Sequence, residues 1–207
     1  MNFLLSNRTY NIEIVGAVGV GKSAFLQRLL TNTFTTNYVE GAIAPGVIAF
    51  PTPIGKITFN IRECRFGIYQ QNLVAASTDQ WANTDAFFVM TSYQDTLQLN
   101  EARRWIQTIR RVRPDVPIVL VDLKRDKPYR RGKNLEPLIR DICRENGNIP
   151  YVEVSTRLNQ NIHGPFIALQ NILRTSDTNM NVDNPNIPSI PLTPLLPVFQ
   201  FPPPPAN

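Results

Sequence analysis

The sequence predicts an α/β fold with a mostly parallel six-stranded sheet flanked by helices. Apolar strand-like segments alternate along the chain with amphipathic helix-like segments, as in proteins built from strand–helix–strand units. Two of the strand-like segments, 86–92 and 117–123, are continuous apolar runs, which is typical of parallel strands covered on both faces. An apolar fraction of 43% and a charged fraction of 18% are ordinary for a globular protein, so a packed core is expected.

The first half of the chain supplies a strand, a helix and a strand pair. Residues 10–15 (YNIEIV) predict a buried strand, and residues 22–31 (KSAFLQRLLT) predict a helix. Residues 47–50 and 56–63 predict two neighbouring strands. In the second of these strands, apolar and polar side chains alternate, which indicates one buried and one more polar face.

The second half of the chain continues the alternation. Between the two apolar strands, residues 99–112 predict a helix with one apolar face, formed by Leu99, Ala102, Ile106, Ile109 and Val112. Asn134 can cap a further helix that runs to about Asn146. Residues 151–155 predict the last strand, and residues 164–175 predict the last helix.

Composition changes near residue 176, where a segment rich in proline and asparagine begins. Proline favours extended polyproline II and excludes a regular helix. We therefore expect a domain over residues 1–175 and an extended tail over residues 176–207. The tail is either disordered or, because it carries several large apolar side chains, laid along a groove of its own domain or of a partner.

Several classes of protein are disfavoured by composition. Cys64 and Cys143 form neither a disulfide framework nor a metal-binding spacing, and His163 is the single histidine. No run reaches the roughly 18 apolar residues of a membrane span, and the N-terminus lacks a basic signal region. The last residues, PPPPAN, contain no cysteine for prenylation. We expect an intracellular protein that is neither secreted nor lipid-anchored.

Residues 16–23 read GAVGVGKS and match the pattern G-x-x-x-x-G-K-[ST]; we call them the phosphate loop. Glycines allow backbone amides to turn around phosphates, and a helix N-terminus favours anions. A chance glycine-rich turn is disfavoured because a predicted strand precedes the loop and a predicted helix follows it. Ser23 is placed to bind Mg²⁺ as well. The predicted phosphate-binding residues are Ala17, Val18, Gly19, Val20, Gly21, Lys22, Ser23 and Ala24.

Beyond this loop the chain resembles the small GTPases, and among them the Ran family of nuclear-transport GTPases. Four segments carry the resemblance in register: 31–41 (TNTFTTNYVEG), 56–63 (KITFNIRE), 103–126 and 151–173. The resemblance covers roughly residues 10–175 and implies the P-loop NTPase fold of small G proteins. It also implies bound GTP or GDP with Mg²⁺.

The resemblance implies a site that reads guanine. Residues 123–126 (LKRD), which we call the base loop, match the family's NKxD motif at Lys124 and Asp126. The family's Asp accepts two hydrogen bonds from guanine. Leu123 replaces the family's Asn and loses a polar tether between loops. The family's SAK loop falls on Ser155, Thr156 and Arg157. The alternative for Asp126 is a solvated acid among basic neighbours.

The resemblance also shows where the catalytic parts of a GTPase are missing. The DTAGQ motif falls on residues 63–67 (ECRFG), so Glu63 takes the position of the acid near Mg²⁺. Phe66 replaces a glycine, and Gly67 replaces the Gln that orients the attacking water. The family's switch Thr aligns with Gly41. We therefore assign no catalytic residue and expect weak or absent GTP hydrolysis.

Basic side chains are concentrated in two places. One is the segment after the fifth strand, and the other is the helix over residues 99–112 with its C-terminal end. The residues are Lys124, Arg125, Lys127, Arg130, Arg131 and Lys133 in the first, and Arg103, Arg104, Arg110, Arg111 and Arg113 in the second. They form either a solvated face or a site for an acidic protein segment. No motif supports nucleic-acid binding.

Taken with the resemblance, these residues predict a monomeric, Ran-like guanine-nucleotide-binding protein that modulates nucleocytoplasmic transport. Its expected partners are transport receptors or Ran regulators, and its expected location is the cytoplasm and nucleus. One alternative is an active but divergent GTPase, in which Gln70 or Gln71 replaces the missing Gln. The other alternative is an interaction scaffold that binds no nucleotide.

Overall fold

The computed structural model of the protein describes residues 8–35, 45–52, 55–64, 81–92, 96–126 and 135–179. Within these ranges the chain forms one six-stranded sheet with helices on both faces. In chain order the elements are β1 (Thr9–Gly16), α1 (Lys22–Thr31), β2 (Gly46–Thr52), β3 (Gly55–Glu63), β4 (Ala86–Thr91), α2 (Thr96–Val112), β5 (Ile118–Asp122), α3 (Glu136–Glu145), β6 (Tyr151–Glu153) and α4 (Gly164–Asn179).

The strand order in the sheet is β2-β3-β1-β4-β5-β6. Strand β2 pairs antiparallel with β3, and every other neighbouring pair is parallel. The predicted α/β class with a mostly parallel six-stranded sheet is therefore confirmed. A parallel neighbour requires a crossover connection, and helices supply it, which is why both faces of the sheet are covered.

Two apolar cores lie on the two faces of the sheet. One joins alternate strand residues to α1 and α4, with Phe25 and Phe166 as its largest fully buried helix residues. The other joins the opposite strand residues to α2 and α3 around Trp105. In β1, Ile14 belongs to the first core and Val15 to the second, as the two-residue period of a strand requires.

Some element ends differ from the predicted ones. Strand β6 ends at Glu153, and Ser155 forms an isolated bridge with Gln160 instead of continuing the strand. Helix α3 begins at Glu136 with a proline in its first turn, while the predicted cap, Asn134, lies outside the described residues. Helix α4 runs to Asn179, and the tail beyond it is not described.

The sheet brings the loops of the predicted site to one edge. Because β1, β3, β4, β5 and β6 run in the same direction, the loops that follow them lie at the carboxyl edge of the sheet. Glu63 is paired in register with Ile14, and Asp122 is paired with Thr91. No helix in the described ranges is long and apolar enough to cross a membrane.

Candidate functional site

The phosphate loop turns directly from β1 into α1, and its glycines permit the turn. Gly16 has a φ of 145°, and a Cβ there would lie 2.3 Å from the carbonyl oxygen of Met90. Gly21, which caps α1, has a φ of 118°. Residues with a side chain rarely adopt these backbone conformations. Glycine therefore allows the loop to pass close to the backbone of β4 and to turn into α1.

Lys22 folds back over this loop. Its Nζ donates to the carbonyl oxygens of Gly16 at 2.9 Å and Ala17 at 3.0 Å. Burial lowers the pKa of Lys22, and the nearby Glu63 carboxylate opposes that effect. A partly desolvated ammonium over the phosphate loop, at the N-terminal end of α1, is well placed to receive a phosphate group.

Ser23 and Glu63 meet beside the loop. The Ser23 hydroxyl lies 2.8 Å from one carboxylate oxygen of Glu63 and 3.1 Å from the other. A hydroxyl and a carboxylate are the oxygen ligands that Mg²⁺ prefers, so the two predicted metal residues fit the ion. In the described ranges no group of three or more His, Cys, Asp or Glu could hold a metal.

The base loop lies against the phosphate loop. Lys124 has a φ of 65°, and its Nζ donates to the carbonyl oxygen of Gly19 at 2.8 Å. Two residues later, Asp126 accepts a hydrogen bond from the Ser155 hydroxyl at 2.7 Å. The same hydroxyl accepts from the amide of Leu158 at 3.1 Å. The structure therefore places the predicted base-binding residues Asp126 and Ser155 in contact, with Lys124 on the same loop as Asp126.

The base loop is also fixed to the end of β6. Arg125 pairs with Glu153 at 2.8 Å, and its amide donates to the carbonyl oxygen of Val154 at 3.3 Å. Two residues before Glu153, the Tyr151 hydroxyl donates to the buried carboxylate of Asp122 at 2.8 Å. Burial, together with the charge of Asp122, raises the pKa of Tyr151. These contacts fix the base loop, which carries Asp126, to β6. In the sheet, β6 and β1, which precedes the phosphate loop, lie on opposite sides of β5.

Arg28 in α1 organises the predicted 155–157 segment, and sequence reasoning missed it. Its Nε donates to the carbonyl oxygen of Thr156 at 3.0 Å, and its Nη2 donates to that of Arg157 at 3.1 Å. Its guanidinium carbon lies 5.8 Å from the centre of the Phe34 ring. Arg28 therefore contacts both the Phe34 ring and the backbone of the 155–157 segment.

A single sequence gives no signal of this role of Arg28, since an arginine in an amphipathic helix matches an ordinary surface cation.

Val18 and Thr156 are predicted site residues whose side chains make no polar contact among the described residues. Val18 is 81% exposed at the tip of the phosphate loop. The Thr156 hydroxyl is buried and has no hydrogen-bond partner among the described residues.

Several arginines predicted as a basic surface are used by the fold. Arg103 pairs with Glu145 of α3. Arg110 donates to the carbonyl oxygen of Val116 at 2.6 Å, and Arg113 donates to that of Ala82 at 2.9 Å. These three side chains therefore have structural partners. Residues predicted to act elsewhere lie outside the described ranges: Gly41, Phe66, Gly67, Gln70, Gln71, Lys127, Arg130, Arg131 and Lys133.

The fold and the site together define a class of protein. A glycine-rich loop between a strand and a helix, a lysine folded over it and a Ser–Glu oxygen pair beside it are typical of P-loop nucleotide-binding proteins. Comparison with protein families narrows the class. The model of the Ras family matches residues 11–175, which is well over half of the chain. The chain belongs to the Ras family of small GTPases.

This membership confirms the small G-protein fold and implies guanine-nucleotide binding. Small GTPases of the Ras family bind GTP or GDP together with Mg²⁺. The narrower resemblance to the Ran family stays a prediction.

Proposed function

We propose that this protein is a Ran-like guanine-nucleotide-binding protein that holds GTP or GDP with Mg²⁺ and hydrolyses GTP weakly or not at all. The observation that supports nucleotide binding is the contact between the phosphate loop and the base loop. Lys124 donates to Gly19 at 2.8 Å while Ser155 holds Asp126, so the phosphate and base loops form one continuous surface. One nucleotide can contact both loops only when they are held in this relation.

Different residues of the chain would bind the phosphates, the Mg²⁺ ion and the guanine base. The backbone amides of the phosphate loop and the N-terminal end of α1 favour phosphates, and Lys22 adds a positive charge. Ser23 and Glu63 would hold Mg²⁺, which neutralises phosphate charge when bound. The carboxylate of Asp126 accepts hydrogen bonds, which favours the donors on the guanine edge over the adenine edge.

Weak hydrolysis is supported by the sequence at the aligned catalytic positions. Gly67 has no side chain with which to orient water, and Phe66 restricts a backbone that a glycine would leave free. Gly41 cannot supply the hydroxyl of the switch Thr. A ligand with equal affinity for two states shifts neither, so the loss of γ-phosphate contacts also implies a blunted switch.

The proposed cellular role follows from the resemblance to the Ran family. We place the protein in the cytoplasm and nucleus as a monomer that binds transport receptors or Ran regulators. Arg103, Arg110 and Arg113 have structural contacts, and so do the base-loop cations Lys124 and Arg125. The proposal of acidic partners therefore rests on the exposed Arg111 and on the further basic residues that the sequence has at positions 127–133.

The proposal is tested by releasing the nucleotide from purified full-length protein and identifying its base and phosphate count. We expect guanine nucleotide in nearly every molecule. Lys22→Met should lose about 10-fold or more in affinity, because it removes a charge-assisted contact to phosphate. Lys56→Met is the matched control, since Lys56 is an exposed lysine of β3 away from the site.

Three results would contradict the proposal. Bound adenine nucleotide excludes a preference for guanine. No bound nucleotide, even after incubation with GTP and Mg²⁺, favours the scaffold alternative. Single-turnover GTP hydrolysis at the rate of an ordinary small GTPase favours the alternative of an active divergent enzyme.

A further inference from the structure

We propose that Leu123 is a positioning residue that packs the base loop onto the phosphate loop and thereby sets the preference for guanine. This inference rests on the proposed guanine-nucleotide binding. Leu123 is 2% exposed and immediately follows β5. A Cβ built on Gly21 would lie 3.3 Å from a terminal methyl of Leu123, so this methyl lies directly against the phosphate-loop backbone.

The phosphate loop presents an apolar inner side to this leucine. Ala17 is 3% exposed and Val20 is fully buried, and both belong to the same apolar core as Leu123. Val18, between them in the loop, is 81% exposed. Ala17 and Val20 therefore lie in the core that contains Leu123, whereas Val18 lies at the surface of the loop. We call Ala17, Val20 and Leu123 the apolar latch.

The backbone and the next side chain fix the geometry of the latch. The amide of Leu123 donates to the carbonyl oxygen of Thr91 at 2.9 Å, which extends the contact between β5 and β4. Lys124 then donates to Gly19 at 2.8 Å. Two consecutive residues thus hold the phosphate loop at two points, one through packing and one through a hydrogen bond.

This arrangement explains how the loops stay joined without the family's Asn. A leucine cannot form a polar tether, but a fully buried methyl against Gly21 excludes water and fixes the distance between the loops. Asp126 lies three positions after Leu123, so a shift of the latch moves the carboxylate that reads the base. The phosphate contacts depend mainly on the phosphate loop itself. Loss of the latch should therefore weaken the reading of guanine more than the binding of phosphates.

The test compares the affinities of full-length protein for GDP and ADP, which carry the same diphosphate. Leu123→Ala should lower GDP affinity by roughly tenfold or more and leave ADP affinity within about twofold. Leu123→Met, which restores apolar volume, should return most of the GDP affinity. Leu97→Ala is the matched control, since Leu97 is a 75% exposed leucine of α2 outside both loops, and it should change neither affinity.

A second readout does not require nucleotide. Hydrogen exchange on nucleotide-free protein should become faster in residues 16–21 and 124–126 for Leu123→Ala, but not for Leu97→Ala. Equal loss of GDP and ADP affinity, or no loss of either, would overturn the latch, as would unchanged exchange in the loops. By contrast, wild-type protein that binds neither nucleotide, or binds both equally, would contradict the proposed function itself.

Discussion

Ser23 and Glu63 lie 40 positions apart in sequence, yet the Ser23 hydroxyl donates to both carboxylate oxygens of Glu63. Ser23 is in the first turn of α1, and Glu63 is the last residue of β3. The parallel pairing of β1 with β3 brings the start of α1 and the end of β3 to the same edge. The pair is therefore a consequence of sheet topology, and it places the Ser23 hydroxyl within 3.1 Å of both carboxylate oxygens of Glu63.

Removing the Glu63 carboxylate should weaken Mg²⁺-dependent retention of nucleotide. We expect Glu63→Ala to release a fluorescent GDP analogue about tenfold faster in Mg²⁺, because a ligand of the ion is lost. Adding a chelator should accelerate release strongly for wild-type protein and only slightly for the variant. Glu145→Ala is the control, since Glu145 is exposed in α3 and pairs with Arg103. Equal acceleration by chelator in both proteins would show that Glu63 does not hold the ion.

Changing the base-reading acid to an amide should change which base is preferred. Asp126→Asn keeps the size of the side chain but places an NH₂ donor where a carboxylate oxygen accepts. We expect GDP affinity to fall by about 100-fold, because guanine donors then meet a donor, and binding of xanthosine diphosphate to rise. Competition against a fluorescent nucleotide measures both changes.

The control for this substitution lies in α3. Asp141→Asn changes an exposed acid that pairs with Arg144 within its own helix, so it should change neither affinity. If Asp126→Asn also leaves the preference unchanged, Asp126 is a solvated loop acid and the base is read elsewhere.

Local patterns in the sequence predicted much of the sheet and the phosphate loop of the candidate site. The continuous apolar runs predicted that β4 and β5 are buried on both faces. The spacing of GAVGVGKS predicted the positions of Lys22 and Ser23, because phosphate binding requires that spacing. Asp126 and Ser155 were predicted from a resemblance, and their 2.7 Å contact brings the two segments together.

The remaining contacts could not be predicted from local patterns. Arg28 reaches the 155–157 segment across 128 positions, which no local pattern encodes. The contact of Leu123 with Gly21 was likewise invisible, because a leucine after a buried strand matches ordinary core packing. Such side-chain contacts depend on three-dimensional packing between loops, whereas strands and helices depend on spacing within short windows.

Stability should depend on the protonation of Glu13, a fully buried residue of β1 that pairs with Arg62. Burial raises the pKa of Glu13 above its ordinary value of 4.5, and the hydrogen bond and charge of Arg62 oppose that effect. A raised pKa means that the folded state holds the proton more tightly than the unfolded state does. The Glu13 contribution to stability is therefore fully present below the unfolded pKa and is lost as pH rises through the folded pKa.

Glu13→Gln removes this titration while keeping a side chain that can accept a hydrogen bond from Arg62. We expect the variant to unfold at a higher temperature than wild-type protein near neutral pH, by on the order of 2 °C. The difference should shrink as pH is lowered toward 4.5. Thermal unfolding across this range measures it, and Glu145→Gln, at an exposed ion pair, should show no such trend. A variant that is less stable than wild type at neutral pH would mean that the Arg62 pair outweighs burial.

GTP hydrolysis should be slow in wild-type protein and should increase when the aligned catalytic residues are restored. Gly67→Gln supplies a side chain that can orient water, and Phe66→Gly in the same protein frees the neighbouring backbone. We expect the double variant to hydrolyse bound GTP at least about tenfold faster in single-turnover assays, since positioning of water is a large part of this chemistry. Gly67→Ala with Phe66→Gly is the matched control, because it has the same backbone change without the amide. If wild-type protein is already fast and Gln70→Ala abolishes its activity, then Gln70 orients the water. In that case the alignment of ECRFG with the catalytic motif is wrong, and the protein is an active GTPase.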